Sequence, residues 1–246
     1  MRVTFAKVFL RSFLIQGCWN YEGMQNVGFA FGMSPVIEEI SRDRGERASI
    51  LTEQLGYFNT HPYFASAILG AAASAQAQDG IGATREIREI KDTLSNPFAA
   101  LGDTLFWSTL KPLFSITATI TGFFGSLFAP VIFVVLYNTF HLLIRTGGFI
   151  HGVRGKMGVM NYVRSLDIPR LSIRLKALTA ALLATFMAGM AYFFGLLSGV
   201  EGLGDLNVLV IIPIFLVALL VKRGIGVLTQ IYTFAIILLV LFSLFD

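Results

Sequence analysis

The sequence predicts an all-α, polytopic integral membrane protein. Broken or re-entrant helices are expected in its N-terminal half and about three to four spans in its C-terminal half. The first observation is compositional. Of 246 residues, 55% are hydrophobic and 14% charged, and the mean hydropathy is +0.71, whereas a soluble domain carries about 25% charged residues. The second is that several uncharged runs reach or approach the ~20 residues that cross a bilayer. The third is that the apolar runs of the N-terminal half contain amides, a carboxylate and Pro or Gly breaks. Irregular backbone at membrane depth is tolerated only where protein encloses it. The expected division is therefore 1–112, with polar intramembrane segments and two charged extramembrane helices, and 113–246, a transmembrane helical region with a basic cytoplasmic loop at 145–176.

Residues 10–35, LRSFLIQGCWNYEGMQNVGFAFGMSP, organise the first half. The run is mostly apolar yet carries Gln16, Asn20, Glu22, Gln25 and Asn26. An amide left unpartnered in hydrocarbon costs ~4–8 kcal/mol. On a straight helix Gln16 and Asn20 share one face, Trp19, Glu22 and Asn26 another, and Gln25 points away from Gln16. Such a segment must be broken, enclosed by protein, or both. Pro35 is the expected end of this run. Residues 38–53, EEISRDRGERASILTE, then form an extramembrane helix with Glu38–Arg42 and Asp43–Arg47 as i,i+4 pairs.

Residues 54–78 split at His61-Pro62, because the residue before proline is pushed out of the α region. Asn59, Thr60 and His61 become a non-helical corner, followed by a helix from about Pro62. Its Ala-, Ser- and Gly-rich sequence places it deep in a bundle. In 79–92, Ile87, Ile90 and Leu94 share one face of an amphipathic helix. Asn96-Pro97 reads as a turn or helix start before PFAALGDTLFWSTLKP. Residues 113–144 contain no Asp, Glu, Lys or Arg. As one helix they would measure ~48 Å, too long for a ~30 Å hydrocarbon core. Gly122, Gly125 and Pro130 offer break points, giving a short element near 113–121 and a span near 123–144.

Residues 145–176 hold seven Lys or Arg against Asp167 alone and read as a loop. Runs at 177–200, 206–221 and 224–245 complete the spans. The turn at 201–205 is acidic and Lys222-Arg223 basic. By the positive-inside rule, 145–176 and 222–223 are cytoplasmic and 201–205 is outside. This placement of the basic residues argues for membrane orientation and against nucleic acid. Cys18 is the sole cysteine, which excludes an internal disulfide and reads as a small buried hydrophobe. Arg11 interrupts any signal-peptide pattern. No metal-binding cluster, Walker-type glycine loop or serine-histidine-acid set is present, so no metal or cofactor is expected.

Three stretches carry a family resemblance: LRSFLIQGCWNYEGMQ…GFAFGMSP, YFNTHPYFASAILG at 57–70 and NPFAALGDTLFWSTLKP at 96–112. In order and spacing they resemble the IID subunit of mannose/fructose/sorbose-family phosphotransferase systems, closely over about residues 8–155. The resemblance implies a permease subunit in the bacterial inner membrane, in obligate complex with IIC. It would carry a hexose of the mannose, fructose, sorbose or N-acetyl amino sugar class by an elevator-like movement. Phosphorylation would fall to IIB and IIA, so this chain is not an enzyme. Two departures, the short 201–207 turn and Asn96 with Ala99-Ala100 where the family carries glycine, motivate an alternative: a IID-like structural or regulatory partner of IIC without transport. A membrane enzyme using Glu22, His61 or Asp103 is the third reading, and no supporting residue pattern accompanies it.

Against that background the candidate substrate-pathway residues are Gln16, Trp19, Asn20, Glu22, Gln25, Asn59, Thr60, His61 and Asp103. Side-chain amides supply the donors and acceptors that sugar hydroxyls need, or they are interhelical glue. Glu22 is an expensive intramembrane carboxylate, or an interfacial one paired with Arg11. Trp19 stacks on a sugar or packs in the core. Asn59, Thr60 and His61 line the path or cap the following helix, and Asp103 faces the path or is an N-cap. His141 and His151 read as incidental.

Overall fold

A computed structural model describes residues 2–193. One compact unit covers Met1–Thr185, and the second, Phe186–Asp246, lies for the most part outside the described residues. The spans expected at 206–221 and 224–245, the C-terminal end of that at 177–200, and the acidic and basic turns between them are likewise outside. The described chain is helical: α1 (Arg2–Arg11), α2 (Asn26–Ile40), α3 (Arg44–Gln54), α4 (Ala65–Asp79), α5 (Thr84–Gly102), α6 (Lys111–Phe123), α7 (Ala129–Gly152), α8 (Lys156–Leu166) and α9 (Ile168–Phe193). A π-helical segment, Asp103–Leu110, joins α5 to α6. Among the described residues β pairing is limited to two isolated bridges, Asn20 to Met24 and Met24 to Phe58.

The small-residue helix α4 is the centre of this unit, as its composition predicts. It packs against α1, α2, α5, α7 and α8, most extensively against α7. Residues Ala65 through Gln76 are all buried. With few large side chains, α4 lets backbones approach closely. A Cβ on Gly70 would lie 2.8 Å from the Phe149 carbonyl oxygen, and one on Gly152 would overlap that of Ala67. Ser66 Oγ donates to the Arg145 carbonyl at 2.8 Å, adding a polar tie to the same crossing.

Several expected boundaries move. Pro35 does not end its helix; α2 runs through it to Ile40. Proline has no N–H, so the Phe31 carbonyl four residues back loses its donor. Arg11 Nη1 at 3.2 Å and Ser34 Oγ at 3.0 Å supply replacements. The charged helix therefore starts late, as α3, with Asp43 accepting the Glu46 N–H at 2.9 Å and Glu46 accepting the Arg42 N–H at 2.6 Å. This is the reciprocal logic of a capping box. Arg47 pairs with Glu38 at 2.9 Å rather than with Asp43, because the chain breaks between them.

Asn96-Pro97 starts nothing, since α5 continues through Pro97. The apolar face of Ile87, Ile90, Leu94 and Phe98 is buried without interruption, and that burial overrides the local breaker. The long uncharged run does break, at Gly125 with φ +82°, and Pro130 opens α7 instead of kinking it. Residues 145–176 are not a loop but the end of α7, α8 and the start of α9. Among the described residues α7 is the one helix long and apolar enough to cross a membrane. Cys18 is exposed rather than buried, because residues 15–25 are turns and not a packed helix.

The α4–α7 contact generates a test. Gly152→Val should overpack the crossing, costing roughly 1–3 kcal/mol, and should lower the melting temperature in mild detergent. Gly189→Ala, where an added Cβ meets nothing within 4 Å, should leave it unchanged or raise it, since alanine favours helix over glycine.

Candidate functional site

The polar residues of the broken N-terminal segment mostly find one another. Gln25 is buried, and its amide pairs with the backbone of Thr60: Nε2 donates to the Thr60 carbonyl at 2.8 Å and Oε1 accepts the Thr60 N–H at 3.2 Å. Thr60 Oγ1 donates onward to the Ser95 carbonyl at 2.9 Å. Asn20 closes a turn, its Oδ1 accepting the Glu22 and Gly23 N–H groups at 3.1 and 2.8 Å and its Nδ2 donating to Asn26 Oδ1 at 2.9 Å. Asn26 Nδ2 then reaches the Leu55 carbonyl at 2.7 Å. These side chains sew residues 20–26 to residues 55–60. Met24, at φ +57°, takes the left-handed conformation this turn requires.

Arg145 ties the other side of the corner. It is buried and has no carboxylate partner among the described residues. Nη1 donates to the Ser12 carbonyl at 2.6 Å and to Ser12 Oγ at 3.1 Å, and Nη2 donates to the Pro62 carbonyl at 2.9 Å. Nε donates to His141 Nε2 at 3.0 Å. The guanidinium lies 4.4 Å from the Phe13 ring centroid and 5.7 Å from that of Tyr63. His141 stacks on Tyr63 at 3.8 Å. Sequence reading missed both residues by counting Arg145 with a basic loop. Its place inside an apolar run, one turn after His141, was the available signal.

His61 faces the π segment. Its ring stacks on Phe106 at 5.1 Å and 13°, lies 5.3 Å from Trp107 and sits directly over Gly102. Nδ1 accepts the Tyr63 N–H at 3.3 Å, while Nε2 is buried without a partner among the described residues. This Nδ1 contact is the only capping role found at the corner, since α4 has no side-chain N-cap. In the π segment Ser108 Oγ donates to the Asp103 and Thr104 carbonyls at 3.3 and 3.0 Å, and Thr109 Oγ1 to Thr104 at 2.7 Å. The hydroxyls add side-chain donors to carbonyls within the wide turn. Asp103 is therefore not an N-cap: helix precedes and follows it.

The remaining candidates point away from this network. Gln16, Trp19, Glu22 and Asp103 are exposed and Asn59 is half-buried, and no side-chain hydrogen bond engages Gln16, Glu22, Asn59 or Asp103 among the described residues. Trp19 makes an edge contact with Tyr21 at 4.9 Å. Arg11 serves α2 and not Glu22. Among the described residues no cluster of His, Cys, Asp and Glu could hold a metal ion.

Beneath the corner, Lys91 donates to the Gly56 and Gln54 carbonyls at 3.1 and 3.4 Å and lies 4.8 Å from the Phe29 ring centroid. It lines a cleft of about 290 Å³ with Glu53, Tyr57, Arg88 and Asp92. Burial pushes its amine down to about 8.

The profile of the phosphotransferase-system mannose/fructose/sorbose family IID component matches residues 2–245. The chain belongs to that family. The mannose-specific EIID component of Escherichia coli K12 is 38% identical over 149 residues, 59% of this chain and 53% of that protein. The fructose permease IID component of Bacillus subtilis is 28% identical over 190 residues, 74% of this chain and 66% of the relative. The matched stretch thus spans about half the length of the E. coli relative. In structure, the chain is similar to one described as a membrane protein, with TM-score 0.69 and 26% identity over 99% of this chain and 97% of that one. It is also similar to a chain of the cryo-EM structure of the mannose transporter ManYZ in complex with a microcin, with TM-score 0.59 and 25% identity over 99% and 96%. The IID component described here is accordingly a membrane protein with an all-helical described region.

Two tests follow from this geometry. Charge-assisted hydrogen bonds contribute ~1.5–3 kcal/mol each, so Arg145→Ala should abolish recovery of folded protein in mild detergent. Arg145→Lys, which cannot reach Ser12 and Pro62 with one fork, should retain only part of it. For Lys91, the unfolded amine titrates near 10.5 and the folded one near 8. Between these values the unfolded chain binds more protons, so folded stability rises with pH. The wild-type melting temperature should climb relative to Lys91→Met as pH is raised above about 8.

Proposed function

We propose that this IID component, together with a IIC subunit, forms the sugar-translocating part of a phosphoenolpyruvate-dependent phosphotransferase system. It carries a hexose of the mannose, fructose, sorbose or N-acetyl amino sugar class across the bacterial inner membrane as a multi-pass subunit. It performs no covalent chemistry; IIA and IIB handle the phosphoryl group. Family membership and the likeness to a ManYZ chain support this reading. Residues 1–112 supply the polar path and 113–246 the membrane anchor, with 145–176 on the cytoplasmic side.

One observation carries the site assignment. Gln25 and the Thr60 backbone use their hydrogen-bonding groups on each other, while the side chains of half-buried Asn59 and exposed Asp103 make no hydrogen bond among the described residues. A neutral hexose needs donors and acceptors, which these side chains offer without fixed positive charge. In this reading Asn59, Asp103, Gln16, Trp19 and Glu22 face the sugar path or the IIC surface beside it. Asn20, Gln25, Thr60 and His61 shape the path.

Removing one polar partner from a filled site costs ~1–3 kcal/mol, or roughly one to two orders of magnitude in affinity. Asn59→Ala and Asp103→Asn should therefore depress sugar uptake by IIC–IID cells while the complex still assembles. Asn20→Ala and Gln25→Ala should instead reduce the yield of complex. Normal uptake in both Asn59→Ala and Asp103→Asn at wild-type expression would remove the site assignment. No uptake by the wild-type pair, with the complex intact, would favour the non-transporting partner role.

A further inference from the structure

We propose that His61 is the latch that keeps residues 103–110 in the π form, and so sets Asp103 and Trp107 against the corner that carries Asn59. The inference rests on the reading of Asn59 and Asp103 as sugar-facing only for its functional consequence; its geometry stands apart from that reading. His61 touches Gly102, Phe106 and Trp107 at once. A Cβ on Gly102 would overlap the His61 Cβ and Cγ and lie 2.9 Å from Cδ2. Phe106 is stacked at 5.1 Å and Trp107 lies at 5.3 Å.

Residues i and i+5 are about 140° apart around an α-helix, which has 3.6 residues per turn. They come together where bonding runs i to i+5. Gly102 and Trp107 can therefore flank one imidazole only in the wide turn. The ring itself is fixed to the corner, since Nδ1 accepts the Tyr63 N–H. Nε2 bonds nothing among the described residues, so the imidazole acts here through its face and its Nδ1. Reversion of the segment to α-helix would turn Asp103 by about 100° relative to α6, changing its position relative to the corner. A short π segment is a common device at functional sites, and here its stability depends on a side chain from a different part of the chain.

The test separates position from transport. In the full IIC–IID complex, in a Cys18→Ser background, Asn59→Cys and Asp103→Cys are joined by a flexible bis-maleimide in membranes, and cross-linking yield reads the geometry. Sugar uptake is measured separately in chains that keep Asn59 and Asp103. His61→Asn preserves an acceptor near Nδ1 and removes the ring. Gly102→Ala keeps histidine and denies it its seat. Both should lower cross-linking roughly three- to tenfold, the size expected for one aromatic stack, with a matching rise in uptake KM. His61→Phe keeps the face and loses only the Nδ1 contact, so it should fall between wild type and His61→Asn in both readouts. Unchanged cross-linking in His61→Asn and Gly102→Ala would overturn the latch, as would a His61→Phe chain as impaired as His61→Asn. Should Gly102→Ala fail to assemble, His61→Asn against His61→Phe carries the same decision. Reduced cross-linking with normal uptake would leave the latch standing and remove the sugar-facing assignment.

Discussion

The structure around the corner depends on one buried cation. Taking a guanidinium out of water costs several kcal/mol unless its hydrogen bonds are replaced. Arg145 replaces them with main-chain oxygens of Ser12 and Pro62, the Ser12 hydroxyl and a neutral imidazole nitrogen. The Pro62 carbonyl belongs to chain outside any helix, and that of Ser12, at the start of a short 3-10 turn, accepts the Ile15 N–H at 3.3 Å as well as the guanidinium. The charge and the irregular backbone thus solve one another's problem. Without the arginine, the Pro62 carbonyl at the bend would lose its donor and the Ser12 carbonyl would keep only the Ile15 N–H. Without the bends, the arginine would lack acceptors.

The same logic recurs with weaker groups. Gln25 completes the backbone of Thr60, Lys91 takes the Gln54 and Gly56 carbonyls, and Arg11 with Ser34 fills the acceptor that Pro35 leaves open. In each case a side chain from one segment satisfies the main chain of another, and non-helical backbone is held inside an apolar protein. Helix α4 makes this possible by being thin. Its alanines and glycines bring α7 close enough for Arg145 to reach across to the corner.

Much of this was legible beforehand. The density of amides in 10–35 demanded a segment that is broken, enclosed or both, and the chain is broken there while Gln16, Trp19 and Glu22 stay exposed; the Ala/Ser/Gly pattern of 62–78 demanded a helix deep in a bundle. The face of Ile87, Ile90 and Leu94 marked its burial correctly. What misled was local punctuation: Pro35 read as the end of a run and Asn96-Pro97 as a turn or helix start, because the Arg11 donor and the buried face that carry the helices through them are not visible in the local sequence. Arg145 was read by its neighbours in sequence, as part of a basic stretch, when its meaning lay in carbonyls 83 and 133 residues away. The candidate site divided for a similar reason. Composition names Asn20, Gln25 and Asn59 alike as polar groups in an apolar run, and only the fold distinguishes those already engaged from the one left free.

A frame tied through main-chain oxygens has an evolutionary corollary. The carbonyls of Gln54, Gly56 and Thr60 are supplied by any residue at those positions, so these contacts ask nothing of the side chains there. The anchors, Arg145, Gln25 and Lys91, are few, and none of them is at position 16, 19, 22 or 59. Those outward positions can therefore drift without unmaking the architecture. Such a scaffold separates heritable shape from outward chemistry, so exposed side chains can change by substitution while the fold is kept.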